Sequence, residues 1–405
     1  MKLQPLSRFR RAEVEFLIQV IRAIRRPQYR PAALAAFRPD FDWDYLLGFL
    51  RTHSLRIIFL EGVNTLKIPG FPAAVLERLQ QKMVVNLHHN RCLAAELHDV
   101  TDLLHAEGID CLSFKGVVLA QQLYHSLVQR EIGDIDLLVH QADAERTRDL
   151  LLARGYVVTH DLDGEPDEAD TALHGDELHD QEYHYTLVND DDMVIEVHWS
   201  LGRREFSRLR APGLFWENRE VLHVDRFVLE APRIDVMIVY LCMHGFKHSW
   251  RRMAWIYDIA QVVHTYPETD WGAVLHQADA LNGRRMLLQG LLLAHTLFAA
   301  PLPPQAESAL AAEPRIIEIT DQVIDQLMVY PVEQDAVDDF RLQYALRQGW
   351  KDRYYYLLAK ARPNRNELHI APMLRRAGPL LYVIRMARLL VRYIIPRLLA
   401  RPLKD

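Results

Sequence analysis

REIGDIDLLV, residues 130–139, alternates acidic and apolar side chains from Asp134 onward. That alternation predicts a strand over 134–139, on which Asp134 and Asp136, two residues apart, leave from the same face. Ile135, Leu137 and Val139 take the other face and are expected to be buried, so the acidic pair is displayed at the strand's beginning. Two carboxylates aimed at one spot repel, and one would be driven to take up a proton unless a counter-charge is supplied. A divalent cation resolves that conflict. Taken by itself, D-x-D also fits a Gly133-Asp134 turn followed by an ordinary surface aspartate.

Working outward, IDCLSF (109–114) reads as a strand, Lys115-Gly116 as a turn, 117–127 as a helix, and 141–154 as a helix closed by Gly155. Further strands are expected near 156–159, 183–188 and 193–199, the last two joined by Asn189-Asp190-Asp191-Asp192, a hairpin-turn composition. Short strands separated by helices make this a mixed α/β unit. In MVIEVHW (193–199), Ile195, Val197 and Trp199 alternate with Glu196 and His198, which puts Glu196 on a polar face between buried neighbours. Were this strand beside 134–139, the Glu196 carboxylate would complete a cluster of three oxygen ligands suited to Mg²⁺. Alone, it is a half-exposed strand with a solvated glutamate. At the earlier turn, Gly116 permits close backbone approach, and free N–H groups at a helix start favour phosphate, with Lys115 adding positive charge. A simple turn is the plainer reading of that dipeptide. Asp161–Asp180 holds nine acidic residues and no Lys or Arg, and is expected to be a solvated loop.

Together, FKGVVLAQQLY, RxxGDIDLLV, the Gly155-Tyr156 pair after a helix, and IEVHW resemble, in order and spacing, the uncharacterised nucleotidyltransferase family of the DNA polymerase β-like superfamily. The resemblance covers about 85–265. It implies an α+β fold, a short mixed sheet of the polymerase β-like kind flanked by N- and C-terminal helical regions. It further implies Asp134, Asp136 and Glu196 as catalytic carboxylates and ligands of Mg²⁺ or Mn²⁺. The substrate would be an NTP whose nucleoside monophosphate passes to a hydroxyl while pyrophosphate departs. The wider superfamily has Gly-Gly or Gly-Ser at the helix start, where this chain has Gly116-Val117, so Lys115 and Arg130 are the side chains left to meet phosphate oxygens. VYLCMHGFKHSWRRMAWIYDIAQVV (239–263) also looks like the family's region after the sheet. As one helix it would set His244, Lys247, His248, Arg251 and Asp258 on a common face, with His244 and Lys247 meeting the nucleotide phosphates or the acceptor. The competing reading makes Trp250, Trp255 and Ile259 the core side and the basic residues solvated. A nucleotide- or partner-binding protein without turnover, and a helical scaffold with a merely structural α/β unit, are the other functional classes.

With 405 residues, two or three domains are expected: a helical region over 1–106, the α/β domain over 107–205 and a helical domain over 206–405. Half the residues are apolar and a quarter charged, as in a globular chain, and a net charge of −6 argues against broad nucleic-acid binding. The three cysteines, Cys92, Cys111 and Cys242, have no metal or redox spacing, which suits a reducing cytoplasm. The opening MKLQPLSRFRRAEVEFLIQVIRAIRR reads as an amphipathic helix, because Glu13, Glu15 and Arg22 interrupt any signal-like apolar core. No apolar run is long enough to span a bilayer. GPLLYVIRMARLLVRYIIPRLLARPLKD (378–405) sets Arg385, Arg388 and Arg392 on one helical face. That pattern suits packing on the helical domain, the expected role, or peripheral contact with an anionic membrane. Neutralising one clustered carboxylate is expected to raise stability slightly when no cation is bound.

Overall fold

The computed structural model describes residues 11–159, 183–202, 212–329, 336–361 and 378–389. They belong to two compact units, residues 1–332 and 333–405. The first unit opens with helices α1 (Ala12–Arg25), α2 (Arg30–Ala36), α3 (Trp43–Thr52), α4 (Arg56–Leu66) and the long α5 (Ala73–Ala106). Their starts and stops follow local chemistry: Asp42 caps α3 by accepting from the Tyr45 N–H at 3.0 Å, and Lys67 ends α4 in the left-handed conformation.

The α/β portion runs β1 (Cys111–Ser113), α6 (Gly116–Tyr124), β2 (Ile135–Val139), α7 (Ala144–Ala153), β3 (Val157–Thr159), β4 (His184–Val188) and β5 (Val194–His198). The sheet order is β1-β2-β5-β4-β3, with β2 and β5 parallel and every other pair antiparallel. This is the α+β arrangement with a mixed sheet that the resemblance implies. Gly155 closes α7 with φ +93°, and Asn189 builds the β4–β5 turn, its Oδ1 accepting from the N–H groups of Asp191 and Met193. The apolar side of β2 and β5 (Ile135, Leu137, Val139, Ile195, Val197) packs in one core with Leu93, Leu97 and Val100 of α5. The opposite side therefore keeps Asp136, Glu196 and His198. The acidic stretch Asp161–Asp180 lies outside the described residues.

After α8 (Gly213–Glu217), the chain forms a hairpin of β6 (Arg219–Val224) and β7 (Phe227–Pro232) before turning helical. The sequence reading has helix from about 206; the alternating REVLHV and FVLEAP around Asp225-Arg226 carry the period of two that it passes over. Val224, Leu229 and Ala231 of the hairpin join the sheet core. Helices α9 (Ile234–Lys247), α10 (Met253–Thr265), α11 (Trp271–Ala280), α12 (Arg284–Phe298), α13 (Pro304–Ala312) and α14 (Pro314–Leu327) complete this unit.

The expected single helix through 239–263 is broken between α9 and α10, where Ser249 and Trp250 both take positive φ. The cause is the indole of Trp250, which is fully buried and donates from Nε1 to Gln289 Oε1 at 2.8 Å. It lies in a slot between Gly245 and Gly290 where a β-carbon on either glycine would collide with neighbouring side chains. The second unit comprises α15 (Ala336–Ala345), α16 (Gly349–Ala361) and α17 (Gly378–Leu389). No helix among the described residues is long and apolar enough to cross a membrane.

His53, just beyond α3, is fully buried against Phe49, its ring centroid 4.4 Å away, and Nδ1 accepts from the Met253 N–H. Burial pushes its pKa from 6.5 down to about 4. A histidine held neutral in the folded chain takes up its proton on unfolding, so stability is retained above pH 6.5 and lost as the pH falls toward 4. This residue alone is expected to cost on the order of 3 kcal/mol over that window. Urea unfolding between pH 7 and pH 4 should show a shallower decline for His53→Gln than for the parent; equal slopes would remove His53 from the account.

Candidate active site

Parallel pairing of β2 with β5 sets Asp136 directly opposite Glu196, and Leu138 opposite His198. Since side chains two apart share a face, His198 joins the two carboxylates over the same patch of sheet. His198 Nε2 lies 3.1 Å from Asp136 Oδ1 and 3.0 Å from Glu196 Oε2. Lys115 Nζ reaches the same Asp136 Oδ1 at 2.5 Å. Asp136 is 1% exposed, and its second oxygen, Oδ2, is buried without a hydrogen-bond partner among the described residues. An orphaned carboxylate oxygen in that position is costly unless something binds it. One ligand atom each from Asp136, Glu196 and His198 lie within 4.8 Å of one another, a grouping that can hold a divalent metal ion.

The turn before α6 delivers Lys115. Its backbone is at φ +62°, ψ −143°, a region that costs a non-glycine residue roughly 1–3 kcal/mol, and the Lys115–Asp136 ion pair is positioned to offset it. Gly116 follows at φ +35°, where a β-carbon would sit 3.1 Å from the Asp134 carbonyl oxygen. Phe114 N–H donates to the Asp136 carbonyl at 3.2 Å. Close approach of this turn to the start of β2 is the physical use of the glycine.

Residues 39–299, more than half of the chain and including the seven strands among the described residues, match the uncharacterised nucleotidyltransferase family. The chain belongs to that family. No curated protein matches it.

Around this cluster the charges are arranged in opposition. Burial disfavours the ammonium of Lys115, but Asp136, Tyr240, Asp134 and Glu196 outweigh it and hold its pKa well above the usual value. Burial likewise opposes ionisation of Glu196, yet the His198 hydrogen bond and the His198 and Lys115 charges keep its carboxyl below the ordinary range. His198 is raised by its two carboxylate partners against the cost of its own burial. Asp134, half-buried at the entrance to β2, is pushed up to about 6 by burial and by the neighbouring Asp136 charge. It adjoins the Asp136–Glu196–His198 group electrostatically without being one of the three ligand atoms that come together. Asp136 already has Lys115 and His198 as partners, which makes loss of stability, in place of the slight gain read from the sequence, the expected result of neutralising it.

Of the other residues singled out in the sequence, Arg130 pairs through Nε with Asp258 Oδ2 at 3.2 Å. Asp258 also accepts from the Tyr124 hydroxyl at 2.8 Å. Asp258 thus holds Arg130 within electrostatic reach of Asp134, and is not part of an exposed basic face of one helix. His244 packs among His248, Trp255 and Tyr240. Burial keeps it uncharged, aided by Lys115, His248, Lys247 and Arg130. Lys247 Nζ lies 2.5 Å from the Tyr183 hydroxyl and over the same ring. His198 and its neighbour His184 are the side chains that sequence reading left unassigned. His184 stacks on His198 with centroids 4.9 Å apart, lies 3.9 Å from Glu196 Oε1, and is pushed down to about 3 by burial and by His198. The available signal for His198 was its spacing of two from Glu196 on a strand.

Proposed function

We propose that the protein transfers a nucleoside monophosphate from an NTP to a hydroxyl of a small molecule, sugar or protein, releasing pyrophosphate. The observation that carries this reading is the register of β2 against β5, which brings Glu196 opposite Asp136 with a buried acceptor oxygen left over. Asp136 and Glu196 offer the hard oxygens that suit Mg²⁺ or Mn²⁺, with part of the coordination left to water and phosphate, and His198 adds a nitrogen to the group. Such a cation, when bound, neutralises the triphosphate and stabilises the attacking and leaving oxygens.

The chain's own residues supply the rest. Asp134 adds a third carboxylate at the mouth of the cluster. Lys115, Arg130 and Lys247, paired with Asp136, Asp258 and Tyr183 in the absence of nucleotide, are the cations proposed to meet triphosphate oxygens, Arg130 with a planar fork and the lysines as point charges. Gly116 keeps the first turn of α6 close to β2, so that backbone N–H groups there can approach a phosphate. His244, held neutral, can donate or accept a hydrogen bond without adding charge.

The pairing of Asp136 with Lys115 and His198 also supports a second reading, a nucleotide- or partner-binding protein without turnover, because those cations already balance the site. One experiment separates the two: the purified protein is incubated with each labelled NTP, Mg²⁺ or Mn²⁺, and cell extract. Label on an acceptor together with pyrophosphate release is the expected result. NTP binding without either product favours the nucleotide-binding form of the second reading, and no NTP binding removes the transfer reading and leaves only partner binding.

A further inference from the structure

Helices α16 and α17 carry apolar side chains on their outer surface. In α16, Trp350 is 73% exposed, and Tyr354, Leu357 and Leu358 follow it at spacings of four, seven and eight, forming one exposed stripe. In α17, Tyr382, Val383 and Met386 are exposed, Val383 by 62%. Arg385, between them, donates back to the Lys360 carbonyl at 3.4 Å, and the two helices pack together. A helix facing water shows the reverse, with charge outward and apolar residues inward. The stripe is not displaced core, since the inner side of α16 is already filled by Tyr356, fully buried with the Arg347 guanidinium 4.7 Å from its ring centre.

Charge indicates what covers this surface. Residues 333–405 contain fifteen Lys and Arg against seven Asp and Glu, a net of +8, which leaves −14 on residues 1–332. Four of the seven acids precede residue 340, before α16 begins. Trp and Tyr mixed with aliphatic side chains and Lys is the composition of a membrane–water interface, where rings sit at headgroup level and cations meet phosphates. A nucleic acid would use the cations and rings but give Leu357, Val383 and Met386 nothing apolar to meet. A second copy would set one net-positive segment against another. Neither helix is long and apolar enough to cross a bilayer.

We propose that α16 and α17 dock on the surface of an anionic phospholipid bilayer, with Trp350, Tyr354, Leu357, Tyr382, Val383 and Met386 entering the headgroup layer. Exposed Lys351 meets the lipid phosphates. The test is flotation of the full-length protein with vesicles of phosphatidylcholine alone and of phosphatidylcholine mixed with phosphatidylserine. The protein is expected to float with the mixed vesicles, to stay behind with the neutral ones, and to be released by high salt. Lys351→Glu should lower binding about fivefold or more. The double change Val383→Glu with Met386→Glu should lower it further, with circular dichroism and melting unchanged because both positions are exposed. Lys351→Glu keeps the test independent of the double variant's folding. The idea is overturned if the parent floats with neither vesicle, or if the double variant floats as the parent does. It is equally overturned if the surface instead retains a single-stranded RNA, or supports self-association, in the absence of vesicle binding.

Discussion

Asp136→Asn is expected to lower transfer about 100-fold or more, because the shape is kept while a ligating charge at the centre of the site is removed. Glu196→Gln, on the adjoining strand, should do the same. The structure adds a second readout that separates these carboxylates from Asp134. Asp136 is the partner of both Lys115 and His198, so its loss should also lower the melting temperature of the metal-free protein. Asp134 should behave oppositely. With a folded pKa raised to about 6 from 3.8, its charged form opposes folding above pH 6, and that opposition fades as the pH falls through 6 toward 4. Asp134→Asn is thus expected to leave stability unchanged or higher at pH 7.5. Mg²⁺ with NTP should raise the melting temperature of the parent and do much less for Asp136→Asn, by binding linkage. Full transfer by Asp136→Asn or Glu196→Gln would remove the proposed mechanism.

Lys115→Met is expected to destabilise the metal-free protein by up to about 3–5 kcal/mol, the usual cost of removing one partner from a buried ion pair, with His198 left as the remaining partner of Asp136. Asp136 is almost fully buried and Lys115 nearly so, which places the pair in the range where solvent gives little screening. The methionine keeps most of the stem's volume, so packing changes little. Divalent metal should restore part of the loss by supplying the missing positive charge, whereas monovalent salt should not. An unchanged urea midpoint for Lys115→Met would mean that the turn, and not the ion pair, sets the position of this residue.

Much of this was legible in the sequence because the decisive segments are short strands with one buried face. The period of two in GDIDLLV and MVIEVHW assigns each side chain to a face, and the sheet keeps that assignment: Ile135, Leu137, Ile195 and Val197 are in the core while Asp136 and Glu196 share the other side. What periodicity cannot give is which strands are neighbours, and Glu196 beside Asp136 came from the resemblance, not from spacing. His198 was visible on the same face as Glu196, but its insertion between two carboxylates depends on β2 lying alongside. The break after α9 was hidden for a different reason. Nothing local in KHSWRRM stops a helix, and the interruption is imposed from a distance by the slot that Gly290 opens for Trp250. That break also explains why Asp258, expected on a face with His244 and Lys247, turns instead to Arg130.

The parallel neighbours at the centre of the sheet also set the order in which a growing chain can acquire chemistry. Strand β5 has its antiparallel mate β4 a few residues upstream, through the Asn189 turn, but its other mate contributes an aspartate 62 positions before His198. The hairpin can therefore close from local contacts, whereas its insertion beside β2 waits on a long loop closure. Until then Asp136 lacks its partners on β5. A slip of one residue during insertion would turn Glu196 and His198 into the core and Ile195 and Val197 out of it, so hydrophobic burial rejects the misaligned product. The three grouped side chains thus come together in one event, proofread by the same apolar residues that hold the sheet.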